Sequence, residues 1–219
     1  MVQLPFQDRT EAGRLLGVEL ASRNLGHAVV LALPRGGLPV GAEVAEALQA
    51  PLDVLVVRKL GVPWQPELAM GAICGNTRVM DTELIRDLGI SAQQMEAVAT
   101  RETREMERRE KLYRGGLPAL NLRGRTAVLV DDGLATGSTM VAAVRRIRGL
   151  RPEKLIVAVP VSSTQACSRL QQEADECVCL ARPEPFFSVG QWYVNFDQVT
   201  DTTVQEILRL SRSQTKSIS

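Results

Sequence analysis

The chain is poor in the residues that most often announce a reaction. Its 219 residues include one histidine, four cysteines and eight aromatics, the latter being four Phe, two Trp and two Tyr. A lone His27 excludes a histidine-built metal centre, and it excludes a Ser-His-Asp triad unless His27 is itself the base. It stands where a hydrophobic run begins and is not expected to be catalytic. Cys74, Cys167, Cys177 and Cys179 lie far apart except for the last two, so neither a zinc spacing nor a dense disulfide framework emerges. They are expected to be buried thiols of a reducing compartment. Nowhere do about 18 apolar residues run together, and "MVQLPFQDRT" has no basic segment followed by an apolar one, so a cytoplasmic location is expected. An excess of charge is missing too. With 26 Lys and Arg against 25 Asp and Glu, no global field draws the protein onto nucleic acid or a membrane, and neither is an expected partner. Any anionic ligand must be held by local cations.

What is present is a soluble α/β pattern. With 45% hydrophobic and 23% charged residues, one packed domain over residues 1–219 is expected. "AVVLAL" (28–33), "TAVLVDD" (126–132) and "KLIVAVP" (154–160) read as buried parallel strands, each followed by a helical segment. After the first, Val40, Val44 and Leu48 share a helical face; after the second, Met140, Val144 and Ile147 do so. "LDVLVVRKL" (52–60) and "ECVCLAR" (176–182) are further strand candidates, which makes at least five. Residues 67–81 read as a hairpin turning at Gly75-Asn76. Residues 100–114 carry ten charges with opposite signs at Arg101/Glu105, Glu105/Arg109 and Glu107/Lys111, the pattern of a solvated helix face. Residues 61–120 thus form a hairpin and charged-helix insertion, and residues 211–219 form a polar tail expected to fray. The expected fold is a doubly wound, mostly parallel sheet with flanking helices, a β-ribbon and helical insertion and a small hood.

The most informative stretch is "AVLVDDGLATGST" (127–139). A strand ending in Asp131-Asp132 puts two carboxylates at the carboxyl edge of a parallel sheet, where ligands bind in open α/β folds. Two neighbouring acids need hydroxyl donors or a cation. Ala135, Thr136, Gly137, Ser138 and Thr139 then place small residues and hydroxyls at a helix N-terminus, where free N–H groups and the helix dipole favour phosphate. A sugar phosphate satisfies both halves. A P-loop would need a Gly-Lys-Ser/Thr, and the dinucleotide fingerprint G-x-G-x-x-G is absent. A response-regulator-type acidic pair, or plain helix-capping acids, would leave the Thr-Gly-Ser-Thr turn unexplained.

These residues resemble the phosphoribosyl pyrophosphate (PRPP) signature of the type I phosphoribosyltransferases. The resemblance implies that Asp131 and Asp132 bind the ribose hydroxyls and Mg²⁺, and that 135–139 hold the 5′-phosphate. Gly133 departs from the branched apolar residue usual there. "LALPRGGLPVG" (31–41) is similar to the family's pyrophosphate loop, which nominates Arg35, Gly36 and Gly37, with a non-proline cis bond at Arg35-Gly36. "VVRKL" resembles the Arg-Lys at the second strand, which nominates Arg58 and Lys59 for pyrophosphate. By the same resemblance Arg35, Lys59, Asp131 and Asp132 are the catalytic set.

Five of the eight aromatics, Phe186, Phe187, Trp192, Tyr193 and Phe196, fall within eleven positions. Either a satellite core or a stacking platform for a planar base explains them. "FFSVGQWYVNF" is similar to the hood of purine-type members, so residues 181–200 form an aromatic hood in which Phe187 and Trp192 are the expected base-binding residues. Asn195 and Ala135 stand where 6-oxopurine enzymes carry acids, which weighs against hypoxanthine or guanine. The similarity covers most of residues 25–200 and points to the branch whose acceptor is unsettled. The implied activity is phosphoribosyl transfer from PRPP to a nitrogen nucleophile in nucleotide metabolism, with PRPP and a small-molecule acceptor as partners. A PRPP-binding regulator without turnover, or a hydrolase or phosphorylase of a phosphoribosylated metabolite, would use the same site. The charged helix or the hood could support a homodimer.

Overall fold

The computed structural model describes residues 2–216. In chain order it contains α1 (Arg9–Ala21), β1 (Ala28–Ala32), α2 (Gly37–Ala47), β2 (Leu52–Val54), β3 (Arg58–Val62), β4 (Gln65–Cys74), β5 (Thr77–Met80), α3 (Thr82–Asp87), α4 (Ala92–Arg114), β6 (Thr126–Val130), α5 (Ser138–Arg148), β7 (Lys154–Val161), α6 (Thr164–Leu170), β8 (Glu176–Ala181) and α7 (Asp201–Lys216). Five strands form one sheet in the order β2-β1-β6-β7-β8, and every pairing is parallel. The chain leaves β1 towards β2 and later returns to β6 on the other side, so the winding reverses between β1 and β6. Such a switch point opens a crevice at the carboxyl ends of the strands.

Alternation along the strands builds two cores. Leu31, Leu129, Val157 and Val159 pack with Met140, Val144 and Ile147 of α5 and with Leu170 of α6. Val30, Val128, Val130 and Ile156 pack with Leu16 of α1, Val40 and Val44 of α2 and Val204 of α7. Both faces of the sheet are covered, as an all-parallel sheet requires. No helix among the described residues is long and apolar enough to cross a membrane.

The run 52–60, expected as one strand, is divided between two sheets. Its last bond to β1 runs from Leu55 N to Ala32 O, where β1 itself ends before Pro34, so beyond that point it has no ladder to join. Arg58 and Lys59 therefore open β3 of a separate antiparallel sheet, β3-β4-β5, which turns at Gly75-Asn76 as expected. The ribbon thus has three strands rather than two, and with α3 and α4 it closes a small core around Leu60, Met70, Ile73 and Val98.

The charged segment also differs from expectation. Helix α4 begins at Ala92 behind a capping box of Ser91 and Gln94, and it buries Val98, Glu102, Met106 and Tyr113 along one side. Spacings of four and seven residues make these a single stripe, which the density of charge conceals in the sequence. Of the expected pairs, Glu105/Arg109 forms and is joined by Arg108, and these two guanidiniums draw the Glu105 carboxyl down to about 2. Arg101 turns instead to Glu102. Helix α7 runs through Lys216 and so takes in residues 211–216 of the expected tail, while 217–219 lie outside the described residues.

Helix α4 is fastened to the main sheet by Asp53. This buried carboxylate on β2 accepts hydrogen bonds from Arg114 Nε at 3.2 Å, from Leu120 N at 3.2 Å and from Val54 N at 2.8 Å. Arg114 also donates to Val54 O at 2.7 Å and is only 12% exposed. Asp53→Ala leaves this buried guanidinium with only the more distant Glu110 carboxylate at 3.8 Å and Leu120 N without its acceptor, and is expected to cost about 3 kcal/mol in urea unfolding. A loss below about 1 kcal/mol would show that the pair behaves as a surface contact.

Candidate active site

Strands β1 and β6 run in register from Ala28/Thr126 to Ala32/Val130, so the loops that follow them begin side by side. After β6 come Asp131 and Asp132, and after β1 comes Pro34-Arg35-Gly36-Gly37. The non-proline cis bond in that loop lies at Pro34-Arg35, one position before the expected Arg35-Gly36. A Cβ on Gly36 would fall inside the Asp132 carboxylate, and one on Gly37 would meet Val130 O at 2.9 Å and Asp131 Cα at 3.0 Å. The glycines are what lets the Arg35 loop lie against the acidic pair.

The pair is poorly compensated. Asp131 Oδ1 accepts from Asp132 N at 2.9 Å, and Asp132 Oδ2 accepts from Arg9 Nε at 2.8 Å. Burial pushes the Asp131 carboxyl well above its ordinary range, and the adjacent Asp132 charge pushes it further. Burial raises Asp132 as well, against the opposing pull of Arg9. Two withdrawn carboxylates therefore face one guanidinium, and they suit ribose hydroxyls or a divalent cation, for which carboxylate oxygens are hard donors.

Beyond the acids the chain makes a tight turn into α5. Gly133 and Leu134 are buried, and Leu134 N bonds to Val161 O at 3.0 Å. A Cβ on Gly133 would meet Val189 Cγ1 at 2.6 Å and Val161 Cγ1 at 3.0 Å. The branched side chain usual at this position is replaced by Val189, which reaches in from the hood. Gly137 (φ 73°) heads α5 with no side chain capping the helix, which leaves the first-turn N–H groups without intrahelical partners. The Thr136 and Ser138 hydroxyls stand 3.3 Å apart at this mouth, Ala135 and Thr136 are exposed, and Ser138 and Thr139 are half-buried.

Two flanking residues escaped the sequence reading. Arg9 is held by Asp132, by Asp197 O at 2.7 Å and by the Phe196 ring, whose centroid lies 3.8 Å from its guanidinium carbon. The Tyr193 hydroxyl donates to Asp132 O at 2.6 Å. No local motif marks Arg9, which precedes its partner by 123 positions, and Tyr193 was legible only as one of the clustered aromatics. The weak available signal was the aromatic cluster itself, which needed something to pack on. Its members divide: Tyr193 is buried against Phe6, and Phe186 and Trp192 pack beside them as a satellite core, whereas Phe187 is 80% exposed.

The nominated cations also divide. Arg35 is partly exposed, 3.8 Å from the Asp201 carboxylate that also accepts from Tyr113 Oη at 2.6 Å. Burial and then that bond push the Tyr113 hydroxyl up to about 12. Arg58 is committed to α4 through two bonds to Glu102, at 2.7 and 2.9 Å. Lys59 is exposed on β3 opposite Ala72. His27 is exposed at the start of β1, the end of the sheet away from the acids.

The raised carboxyls make the ligand-free protein sensitive to pH. Because the Asp131 value is higher folded than unfolded, its contribution is fully present below the ordinary carboxylate range and is lost as pH rises through the raised value. Asp131→Asn removes that loss. The ligand-free variant is expected to melt above the parent at about pH 8, with the gap closing as pH falls to about 4. A gap that does not change with pH, followed by scanning fluorimetry, would contradict the assignment.

Comparison with known proteins agrees with this geometry. A model of the phosphoribosyl transferase domain matches residues 12–196. A protein of Mycobacterium tuberculosis (strain H37Rv), provisionally named a phosphoribosyl transferase, is 48% identical over 204 residues, or 93% of this chain and 46% of its own length. The chain thus spans about half of that curated relative. The crystal structure of TT1426 from Thermus thermophilus is 42% identical, covers 93% of this chain and 97% of its own, and superposes with a TM-score of 0.79. A hypothetical protein from Neisseria gonorrhoeae with bound ppGpp shares the fold alone, at 11% identity, 96% and 100% coverage and a TM-score of 0.53. From the acidic pair at the β1/β6 crevice to the uncapped turn after it, the chain belongs to the phosphoribosyl transferase domain family.

Proposed function

We propose that the protein transfers the 5-phosphoribosyl group of PRPP to a nitrogen nucleophile, a nucleobase-like acceptor, and releases pyrophosphate. The observation that carries this reading is the under-compensated Asp131-Asp132 pair, set between a glycine loop and an uncapped helix N-terminus. One side of the pair offers N–H groups and hydroxyls for a 5′-phosphate at 135–139. The other side offers Arg35 and the backbone of Gly36 and Gly37 to pyrophosphate.

The reaction must stabilise an oxocarbenium-like ribose and a departing polyanion together. Asp131 and Asp132 orient the sugar through its hydroxyls and offset the positive charge that develops beside them. Arg35 and Lys59 balance the leaving group; Arg58 acts from behind by fixing α4 to β3. Mg²⁺, which the same two carboxylates would hold, supplies further neutralisation of pyrophosphate when bound. Phe187 is the side chain free to stack on an acceptor, while Trp192 holds the hood that presents it. We place this activity in the cytoplasm, with a homodimer as the assembly to test by light scattering.

The test is pyrophosphate release from PRPP and Mg²⁺ with a mixed panel of purine, pyrimidine and nicotinate-type bases beside a no-base control. Base-dependent release is expected, together with a nucleoside monophosphate product. Release without base would indicate hydrolysis, and PRPP binding without release would indicate a regulator; either overturns the transfer. Asp132→Asn is expected to lower kcat/KM by at least about 100-fold, and an unchanged value would remove the pair from the reaction.

A further inference from the structure

Three of the four cysteines converge at β8, two strands across the sheet from β6 and the acidic pair. Cys177 and Cys179 alternate along β8, on the side of the sheet that faces α6, and Cys167 comes from α6 to meet them. Their sulfurs are separated by 3.0 Å (Cys167–Cys179), 3.6 Å (Cys167–Cys177) and 3.8 Å (Cys177–Cys179). All three sulfurs lie within 4.8 Å of one another, and none is in a disulfide. The sequence concealed this because Cys167 reaches the strand only through the α6–β8 turn.

We propose that Cys167, Cys177 and Cys179 form a binding site for a divalent thiophilic cation of the Zn²⁺ type. A tetrahedral ion with metal–sulfur bonds of about 2.3 Å requires sulfurs about 3.8 Å apart. Two of the three separations already match that edge, and the third needs Cys167 and Cys179 to part slightly. Three thiolates around a divalent ion carry one net negative charge, and the Arg182 guanidinium lies beside Cys179 to balance it. Cys177 and Cys179 are only half-buried on the edge strand β8, which gives an ion access. A cysteine thiol, ordinarily of pKa about 8.5, is protonated at neutral pH, and only the thiolate binds metal. Binding is therefore an exchange, in which three S–H protons leave as three metal–sulfur bonds form, with no change in oxidation state.

The site joins edge strand to helix behind the turn at 135–139, since Ser163, one helical turn before Cys167, donates to Ala135 O at 2.6 Å. The experiment is titration of the reduced, metal-free full chain with Cd²⁺, followed by thiolate-to-metal charge-transfer absorption, native mass spectrometry and proton release into a weak buffer. One Cd²⁺ per chain and close to three protons are expected. Cys177→Ser is expected to weaken binding by at least about 100-fold, and Cys74→Ser to leave it unchanged, with both variants shown to be folded by circular dichroism. Absence of the charge-transfer band, release of fewer than two protons, or equal loss in Cys74→Ser would overturn the proposal. So would a Cys167–Cys179 disulfide that persists under reductant.

Discussion

The site depends on one electrostatic constraint: Asp131 and Asp132 are withdrawn from water side by side with a single guanidinium between them and neutrality. Much of the surrounding architecture follows from accommodating that pair. Gly36 has no side chain because the Asp132 carboxylate occupies its place. Arg9 is brought from the first turn of α1, and Phe6 is threaded beside the hood by backbone bonds to Trp192 and Val194, so that the cation cannot drift. The Tyr193 hydroxyl closes over the Asp132 carbonyl. A pair so arranged destabilises the empty protein and is ready for hydroxyls or a cation, which is how functional sites commonly trade stability for binding.

The second sheet plays a different part. Strands β3 to β5 do not extend the parallel sheet; with α3 and α4 they make a unit that has its own small core, held together by Arg58–Glu102 and fastened to the main sheet by Arg114–Asp53. Arg58–Glu102 holds the middle of α4 and Arg114–Asp53 its C-terminal end. That fastening leaves Lys59, next to Arg58, exposed on the same strand. Two adjacent cations that look equivalent in sequence are thus separated into one that holds structure and one left exposed.

Much of this was legible in the chain. The parallel strands, the helix faces of α2 and α5 and the turn at Gly75-Asn76 follow from local periodicity and turn chemistry, which survive in isolation. The placement of the acids and of the turn at 131–139 was legible for the same reason, because they are contiguous. What was hidden depends on distant partners. The break at Leu55 follows from where β1 stops, and the buried stripe of α4 was masked by the charges between its members. Gly133 is explained by a valine 56 positions later. Arg9 and the three-thiol cluster carry no motif at all.

The central claim is that the acidic pair is incomplete until the sugar and its cation arrive. Calorimetric titration of PRPP with Mg²⁺, repeated in buffers of different ionisation enthalpy, measures protons exchanged on binding. Binding is expected to lower the raised Asp131 and Asp132 values and to release protons, in an amount that Asp131→Asn reduces relative to the parent. Proton release identical in parent and variant would contradict it.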